Sequence, residues 1–357
     1  MIREKKMGWE ANVRKVVPYV PGEQPKEKKV IKLNTNENPY PPSPKVAEAI
    51  ASFDADTLSL YPDPTVKDLV SAIAKNYGVK ESQVFTGVGS DDVISLCFMT
   101  FFQGGKEILF PDVTYSFYDV WADLYQIPYK KVALDEHFHI QAKDYYGENG
   151  GIIFPNPNAP TGVEESQELI EDVLKHNPDS VVIVDEAYVD FGAASALPLL
   201  DKYDNLLVVQ TFSKSRSMAG MRIGFAIGSE KMIAYLNDVK YSFNSYTMSR
   251  LAIATGTAAI EDAAYFDKTR NQVMETREWA KEELKKLGFS FPDSKTNFLF
   301  ITHERVTAKA LFEALKAENI YVRYFDKARI DNYLRVTIGT REQMEVLLTF
   351  LKTYLEK

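Results

Sequence analysis

Short apolar runs bounded by glycine, proline or polar clusters recur through the first two thirds of the chain. Val84-Phe85-Thr86, Ile108-Leu109-Phe110, Gly151-Ile152-Ile153-Phe154, Val181-Val182-Ile183-Val184 and Leu206-Leu207-Val208-Val209 are too short for buried helices and lack the alternation of a half-exposed strand. They predict strands covered on both faces. Helical patterns fall between them, at Pro44 to about Phe53, Val66 to Tyr77 and Val93 to Phe102, the second entered through the rigid turn Tyr61-Pro62-Asp63-Pro64. This alternation predicts an α/β fold, a mostly parallel central sheet with helices on both faces. Two glycine-containing strands around Arg222 to Ile227 are expected to close the sheet.

The pattern changes after that. From about Thr247 to Leu287 it is helical throughout, with Val273, Thr276, Ala280, Leu284 and Leu287 near one face. Separated strands follow, at Phe298-Leu299-Phe300-Ile301, Tyr321-Val322-Arg323-Tyr324 and Leu334-Arg335-Val336-Thr337-Ile338, which predicts a smaller α+β domain. At the other end, Pro18, Pro21, Gly22 and Pro25 prevent a long helix, so the opening residues read as an arm laid over another surface. The expected division is an arm over 1–32, a large domain over 33–250 and a small domain over 251–357. A chain of 357 residues exceeds the size at which one core stops growing.

Composition removes several classes of function. A formal charge of −8 argues against nucleic-acid binding, which needs clustered lysine and arginine, so any phosphate must be held by local arginines. The single cysteine, Cys97, excludes an internal disulfide framework, and its apolar surroundings from Val93 to Met99 make it a packed thiol rather than a nucleophile. His137 and His139 alternate along a possible strand without a companion cysteine, and are expected at the surface with no metal. The amino terminus lacks the apolar core of a signal peptide and no run is long enough to span a bilayer, so a cytoplasmic protein without a membrane partner is expected.

Candidate chemistry lies where the apolar runs end. Leu206-Leu207-Val208-Val209 leads to Ser213 and Lys214, with Arg222 following; a lysine there is either a solvated loop residue or an amine able to form a Schiff base with a carbonyl compound. Val181-Val182-Ile183-Val184 leads to Asp185-Glu186-Ala187-Tyr188, where Asp185 either caps a helix or meets a cation. Val84-Phe85-Thr86 leads to Gly87-Val88-Gly89-Ser90-Asp91-Asp92 and a helix whose free N–H groups suit a phosphate. Asp92 stands where a dinucleotide-binding loop would place its third glycine. Leu33-Asn34-Thr35-Asn36-Glu37-Asn38-Pro39 is a turn scaffold or part of a polar site, and the aromatics from Tyr115 to Tyr118 stack on a flat ligand or fill an interface. If the strands are parallel neighbours, one ligand accounts for all of these groups: a pyridine ring bearing a phosphate and an aldehyde.

These segments together resemble the fold-type I pyridoxal-phosphate aminotransferases, and within them the histidinol-phosphate aminotransferases, over almost the whole chain. The motifs are Leu33 to Pro39, Tyr61-Pro62-Asp63, Gly87 to Asp91, Pro160-Thr161-Gly162, Asp185-Glu186-Ala187-Tyr188, Ser213-Lys214 with Arg222, and Leu334 to Gly339. The resemblance implies pyridoxal 5′-phosphate held as a Schiff base on Lys214, with Asp185 on the ring nitrogen, Tyr188 and Asn158 on the ring hydroxyl and Tyr115 over the ring. Gly89, Ser90, Asp91, Ser213 and Arg222 would hold the phosphate, joined by Tyr61 of the other subunit in a homodimer. Lys214, Asp185 and Tyr188 would be catalytic, and Tyr19, Asn36, Arg323 and Arg335 would bind substrate. The implied reaction is amino transfer between L-histidinol phosphate and 2-oxoglutarate, with an aromatic amino-acid aminotransferase or a phospho-amino-acid decarboxylase as alternatives. One departure stands out: where the family has asparagine before Pro-Thr-Gly this chain has Ala159, so either Asn158 shifts into the hydroxyl contact or Tyr188 makes it alone.

Overall fold

The computed structural model describes residues 8–25 and 29–356. The first strand, β1 (Ile31–Lys32), is separate from the sheet that carries the middle of the chain. That sheet has seven strands: β2 (Val84–Gly87), β3 (Ile108–Pro111), β4 (Tyr129–Val132), β5 (Ile152–Pro155), β6 (Val182–Asp185), β7 (Leu206–Thr211) and β8 (Gly224–Gly228). Their order is β2-β8-β7-β6-β5-β3-β4, with every pairing parallel except the two made by β8. The expected mostly parallel sheet is therefore present, with β4 as an edge strand that the apolar runs did not indicate; two of its four residues are exposed lysines.

Alternation along the strands separates two layers of core. Ile153, Ile183, Leu207 and Val209 pack on one face, while Ile152, Phe154, Val182, Val184, Leu206 and Val208 pack on the other. The first face is covered by helices α3 (Ser90–Phe101), α4 (Tyr118–Tyr125) and α6 (Glu230–Phe243), with Cys97 buried among them; the second receives α5 (Gln167–His176). Helices α1 (Pro44–Ala51) and α2 (Lys67–Tyr77) share a further core with α7 (Arg250–Ile260).

Three local expectations change. The two strands expected around Arg222 are one, β8, because the 3₁₀ turn Ala219–Met221 and the left-handed Arg222 (φ 53°) reverse the chain before it. The long helical stretch divides into α7 and α8 (Ala263–Lys286), because the Asp262 carboxylate caps a new helix by accepting the Tyr265 N–H. His137 and His139 lie in a turn, where the Asp135 carboxylate accepts both of their backbone N–H groups.

The carboxyl-terminal part forms a second sheet, from β9 (Phe289–Ser290), β10 (Phe298–His303), β12 (Arg323–Tyr324) and β13 (Leu334–Thr337), in the order β12-β13-β10-β9 and antiparallel throughout. The expected strand Tyr321 to Tyr324 divides at Val322: β11 (Ile320–Tyr321) pairs with β1, and β12 with β13. Helices α8, α9 (Ala308–Ala317) and α10 (Arg341–Leu355) complete this core. Among the described residues no helix is long and apolar enough to cross a membrane.

The buried Arg277 of α8 ties the two parts together, donating to the carbonyls of Phe191 and Thr296 at 2.8 and 2.9 Å. Arg277→Ala leaves both carbonyls without that donor and is expected to lower unfolding stability by about 3 kcal/mol. Urea denaturation measures this; a loss below about 1 kcal/mol would mean that water replaces the guanidinium.

Candidate active site

The hairpin from β7 into β8 carries the lysine. Phe212 N–H donates to Ile223 O at 3.0 Å, closing a loop that holds Ser213, Lys214 and Arg222 beyond the carboxyl ends of β5, β6 and β7. The backbone of Lys214 is held from outside the loop: the Asn38 side-chain amide donates to Lys214 O at 3.1 Å and Ser215 O at 3.2 Å. Ser215 in turn donates its hydroxyl to Asp190 at 2.5 Å. The amine itself is loosely placed, 3.5 Å from Thr35 O and 5.6 Å from the Tyr188 ring centre. It is positioned by its backbone and left available at its tip.

Asp185 ends β6 and is only 4% exposed. It accepts the Tyr118 hydroxyl at 2.9 Å and the Ala187 N–H at 3.3 Å, and no cation pairs with it among the described residues. Loss of hydration pushes its pKa up to about 6, despite the opposing Tyr118 and Ala187 hydrogen bonds. Tyr118, expected among packing aromatics, is thus part of the site. Only folding brings it there, since 67 residues separate it from Asp185.

The start of α3 borders the cavity that Asp185 and Lys214 line. Gly89 (φ 89°) precedes Ser90, and a Cβ on Gly224 of β8 would lie 2.3 Å from both Gly89 C and Ser90 N. Glycine at 224 therefore lets the strand run directly against the turn that leads into Ser90 and Asp91, which line the cavity. Arg222 reaches Ser213 Oγ at 3.4 Å and Asp91 at 3.2 Å, and Tyr115 donates its hydroxyl to Asp91 at 2.8 Å. The Asp91 carboxylate orients two other residues here. Thr211, a further lining residue, donates to Ser213 Oγ at 3.0 Å.

Tyr115, Ala159, Tyr188 and Lys214 line both this cavity and a neighbouring one of about 200 Å³, where Tyr19, Asn36, Arg323 and Arg335 meet. Arg323 and Arg335 are direct cross-strand partners on β12 and β13, and neither pairs with a carboxylate among the described residues. Two like charges so placed repel. Arg335 donates to Asn34 O at 3.1 Å while its Nε is buried without a partner, and burial lowers its pKa from the usual arginine range. Tyr19 stacks on Phe117 at 4.2 Å. The Asn36 amide is engaged by protein, donating to Tyr188 Oη at 2.9 Å and accepting from Thr337 at 3.0 Å.

Two expected residues stand apart. Asn158 is buried and donates to Val113 O at 3.0 Å; the cavity wall at this point is Ala159. Tyr61 lies outside both cavities, 76% exposed and stacked on Tyr246 at 4.7 Å. Volume alone does not locate this chemistry. A hollow of about 670 Å³ beside Glu345, Phe350 and Tyr354 is larger and presents only acidic, hydroxyl and apolar side chains.

The family described as aminotransferase class I and II matches residues 28–351. The chain is 53% identical over 347 residues to histidinol-phosphate aminotransferase 1 of Bordetella parapertussis, covering 96% of this chain and 98% of that one. It is 51% identical over 350 residues to the histidinol-phosphate aminotransferase of Lactococcus lactis subsp. cremoris, covering 98% of each. The chain belongs to the class I and II aminotransferases. The solved histidinol-phosphate aminotransferase of Sinorhizobium meliloti, in complex with pyridoxal-5′-phosphate, shares the fold with a TM-score of 0.83 at 21% identity, covering 92% of each chain. The fold class expected from the strand pattern is thereby shown, as is the resemblance drawn from the motifs.

In this aminotransferase a carboxylate whose folded-state pKa lies above its ordinary 3.8 binds its proton more tightly in the folded protein than in the unfolded chain. Its contribution to stability is full below pH 4, falls as pH rises towards about 6, and stays low above that, by roughly 3 kcal/mol. Asp185→Asn is therefore expected to melt above the parent at pH 8 and close to it at pH 4.5 when both are ligand-free. A difference of the same size at both values would refute the assignment.

Proposed function

We propose that this aminotransferase exchanges an amino group between L-histidinol phosphate and 2-oxoglutarate, using pyridoxal 5′-phosphate. The observation that carries this reading is the Arg323–Arg335 couple, without a carboxylate partner among the described residues, in a cavity that Lys214 also lines. A guanidinium grips phosphate and carboxylate with the same fork of donors. The couple therefore suits a substrate exchange in which one partner carries a phosphate and no carboxylate, and the other carries two carboxylates. The sequence relationship to histidinol-phosphate aminotransferases supports the same substrate.

The residues also fit the cofactor. Asp185 is a buried carboxylate lacking a cation, as a protonated ring nitrogen would supply; Arg222, Ser213 and the glycine-lined start of α3 are donors for a phosphate; Lys214 is an amine between them. When bound, pyridoxal phosphate supplies an aldehyde that takes up an amino group and a ring that draws electrons from the adjacent carbon. Lys214 would hold that aldehyde, and its amine, when free, would serve as the base and then the acid that moves the proton of the substrate carbon. Asp185 would keep the ring nitrogen protonated, Tyr188 would donate to the ring hydroxyl oxygen and Tyr115 would cover the ring, all three lining the cavity that holds Lys214.

We assign Tyr61 to the cofactor phosphate of a second subunit in a homodimer. It has no role in the cavities of its own chain, and Leu58 and Leu60 beside it are also exposed, an apolar cluster of the kind that interfaces cover. A cytoplasmic location fits a biosynthetic transaminase of this kind.

Lys214→Ala is expected to abolish turnover and the absorbance change seen on adding histidinol phosphate to the yellow enzyme; an undiminished rate rejects the assignment. Stopped-flow spectra with histidinol phosphate and with phenylalanine test the substrate, a faster single turnover being expected with the former. Arg335→Ala is expected to lower kcat/KM in both half-reactions by about 100-fold. An unchanged value for either counts against shared use of the arginine.

A further inference from the structure

A closed set of hydrogen bonds links the second sheet to the Tyr188 hydroxyl. Asn36 is 1% exposed in a left-handed conformation (φ 57°), which asparagine tolerates better than most residues. Its backbone N–H donates to Thr337 Oγ1 at 3.0 Å, Thr337 Oγ1 donates to Asn36 Oδ1 at 3.0 Å, and Asn36 Nδ2 donates to Tyr188 Oη at 2.9 Å. Asn297 Nδ2 holds Asn36 O at 3.0 Å. Thr337 is 2% exposed, so its single proton must find an acceptor within the protein.

These facts determine the direction of every bond. Turned over, the Asn36 amide would aim its NH₂ at Thr337 Oγ1, leaving the Thr337 proton without an acceptor, and its oxygen would take the proton of Tyr188. As the hydrogen bonds stand, Tyr188 Oη receives a proton from Asn36 and its own remains free to point into the cavity beside Lys214. We propose that Thr337 is a positioning residue: its hydroxyl sets which way round the Asn36 amide sits, so that Tyr188 keeps its proton for the ring oxygen of the cofactor. Thr337 never touches that ring.

The placement adds a connection to substrate. Thr337 and Arg335 lie two residues apart on β13 and so share a face of the strand, and both are fastened to the segment that carries Asn36: Thr337 N–H donates to Leu33 O at 2.9 Å and Arg335 to Asn34 O at 3.1 Å. The residue that receives the substrate's anionic group and the one that orients the Tyr188 contact are thus one rigid unit.

This inference rests on the pyridoxal-phosphate reading above, and its test is a pH titration of the visible absorbance of the cofactor-loaded enzyme. A proton donated to the ionised ring oxygen lowers the midpoint of that titration. Thr337→Val and Thr337→Ala remove the hydroxyl and are expected to raise the midpoint by about one pH unit, whereas Thr337→Ser is expected to titrate with the parent. Coincidence of either hydroxyl-free variant with the parent, or a shift in the serine variant as large as that in the valine one, overturns the proposal. If the parent itself binds no chromophore, the cofactor reading falls first and this proposal with it, an outcome visible without any variant.

Discussion

The constraint on which this structure depends is a carboxylate taken out of water at the end of a strand buried on both faces. Asp185 continues the apolar run of β6 and, among the described residues, meets only a phenol and one backbone N–H, so it exists in a state that a cation would relieve. Such a group destabilises the empty fold. Its retention makes sense when the missing charge arrives with a ligand, and this gives the rest of the site its geometry. Lys214 lies one strand over, since β7 is the parallel neighbour of β6, and Ser90, Ser213 and Arg222 line the same cavity.

The sheet topology satisfies that requirement economically. Parallel strands bring their carboxyl ends to a single edge, so β5, β6 and β7 deliver Ala159, Asp185 and Lys214 to one crevice. The antiparallel β8 then performs a task that a further parallel strand could not. By turning back at once it returns Arg222 to the same edge, and it lays Gly224 against the turn before α3. One hairpin therefore supplies both the amine and the guanidinium, and seats the helix start that faces them.

What could be read from sequence follows the same physics. Strands buried on both faces are written as unbroken apolar runs, so β3, β5, β6 and β7 were legible, and the polar residues ending them were legible as candidates because a charged group at the end of so apolar a run needs a partner. Edge strand β4, with its two exposed lysines, carries no such mark. The partners that orient the candidates were not legible either. Tyr118 on Asp185, Asn38 on the Lys214 backbone and Thr337 on Asn36 join positions separated by 67, 176 and 301 residues, and each is an ordinary residue type in its local segment. Ala159 was noticed as a departure, but only the fold shows that the Asn158 amide donates to Val113 O while Ala159 and Tyr188 line the cavity.

The segment Leu33 to Asn38 has a larger part than a turn scaffold because it crosses between the two sheets. It is fastened to β13 through Leu33, Asn34 and Asn36, to Asn297 just before β10, and to the lysine loop through Asn38. Six consecutive residues thus reach Arg335, the Tyr188 phenol and the backbone of Lys214. Asparagine suits such a seam: its amide carries donors and an acceptor on a short stem, and it accepts the left-handed conformation required at Asn36. A displacement of the second sheet against the first would change these bonds together with the Arg277 contacts to Phe191 O and Thr296 O, so the two parts are joined at the cavity wall as well as through α8.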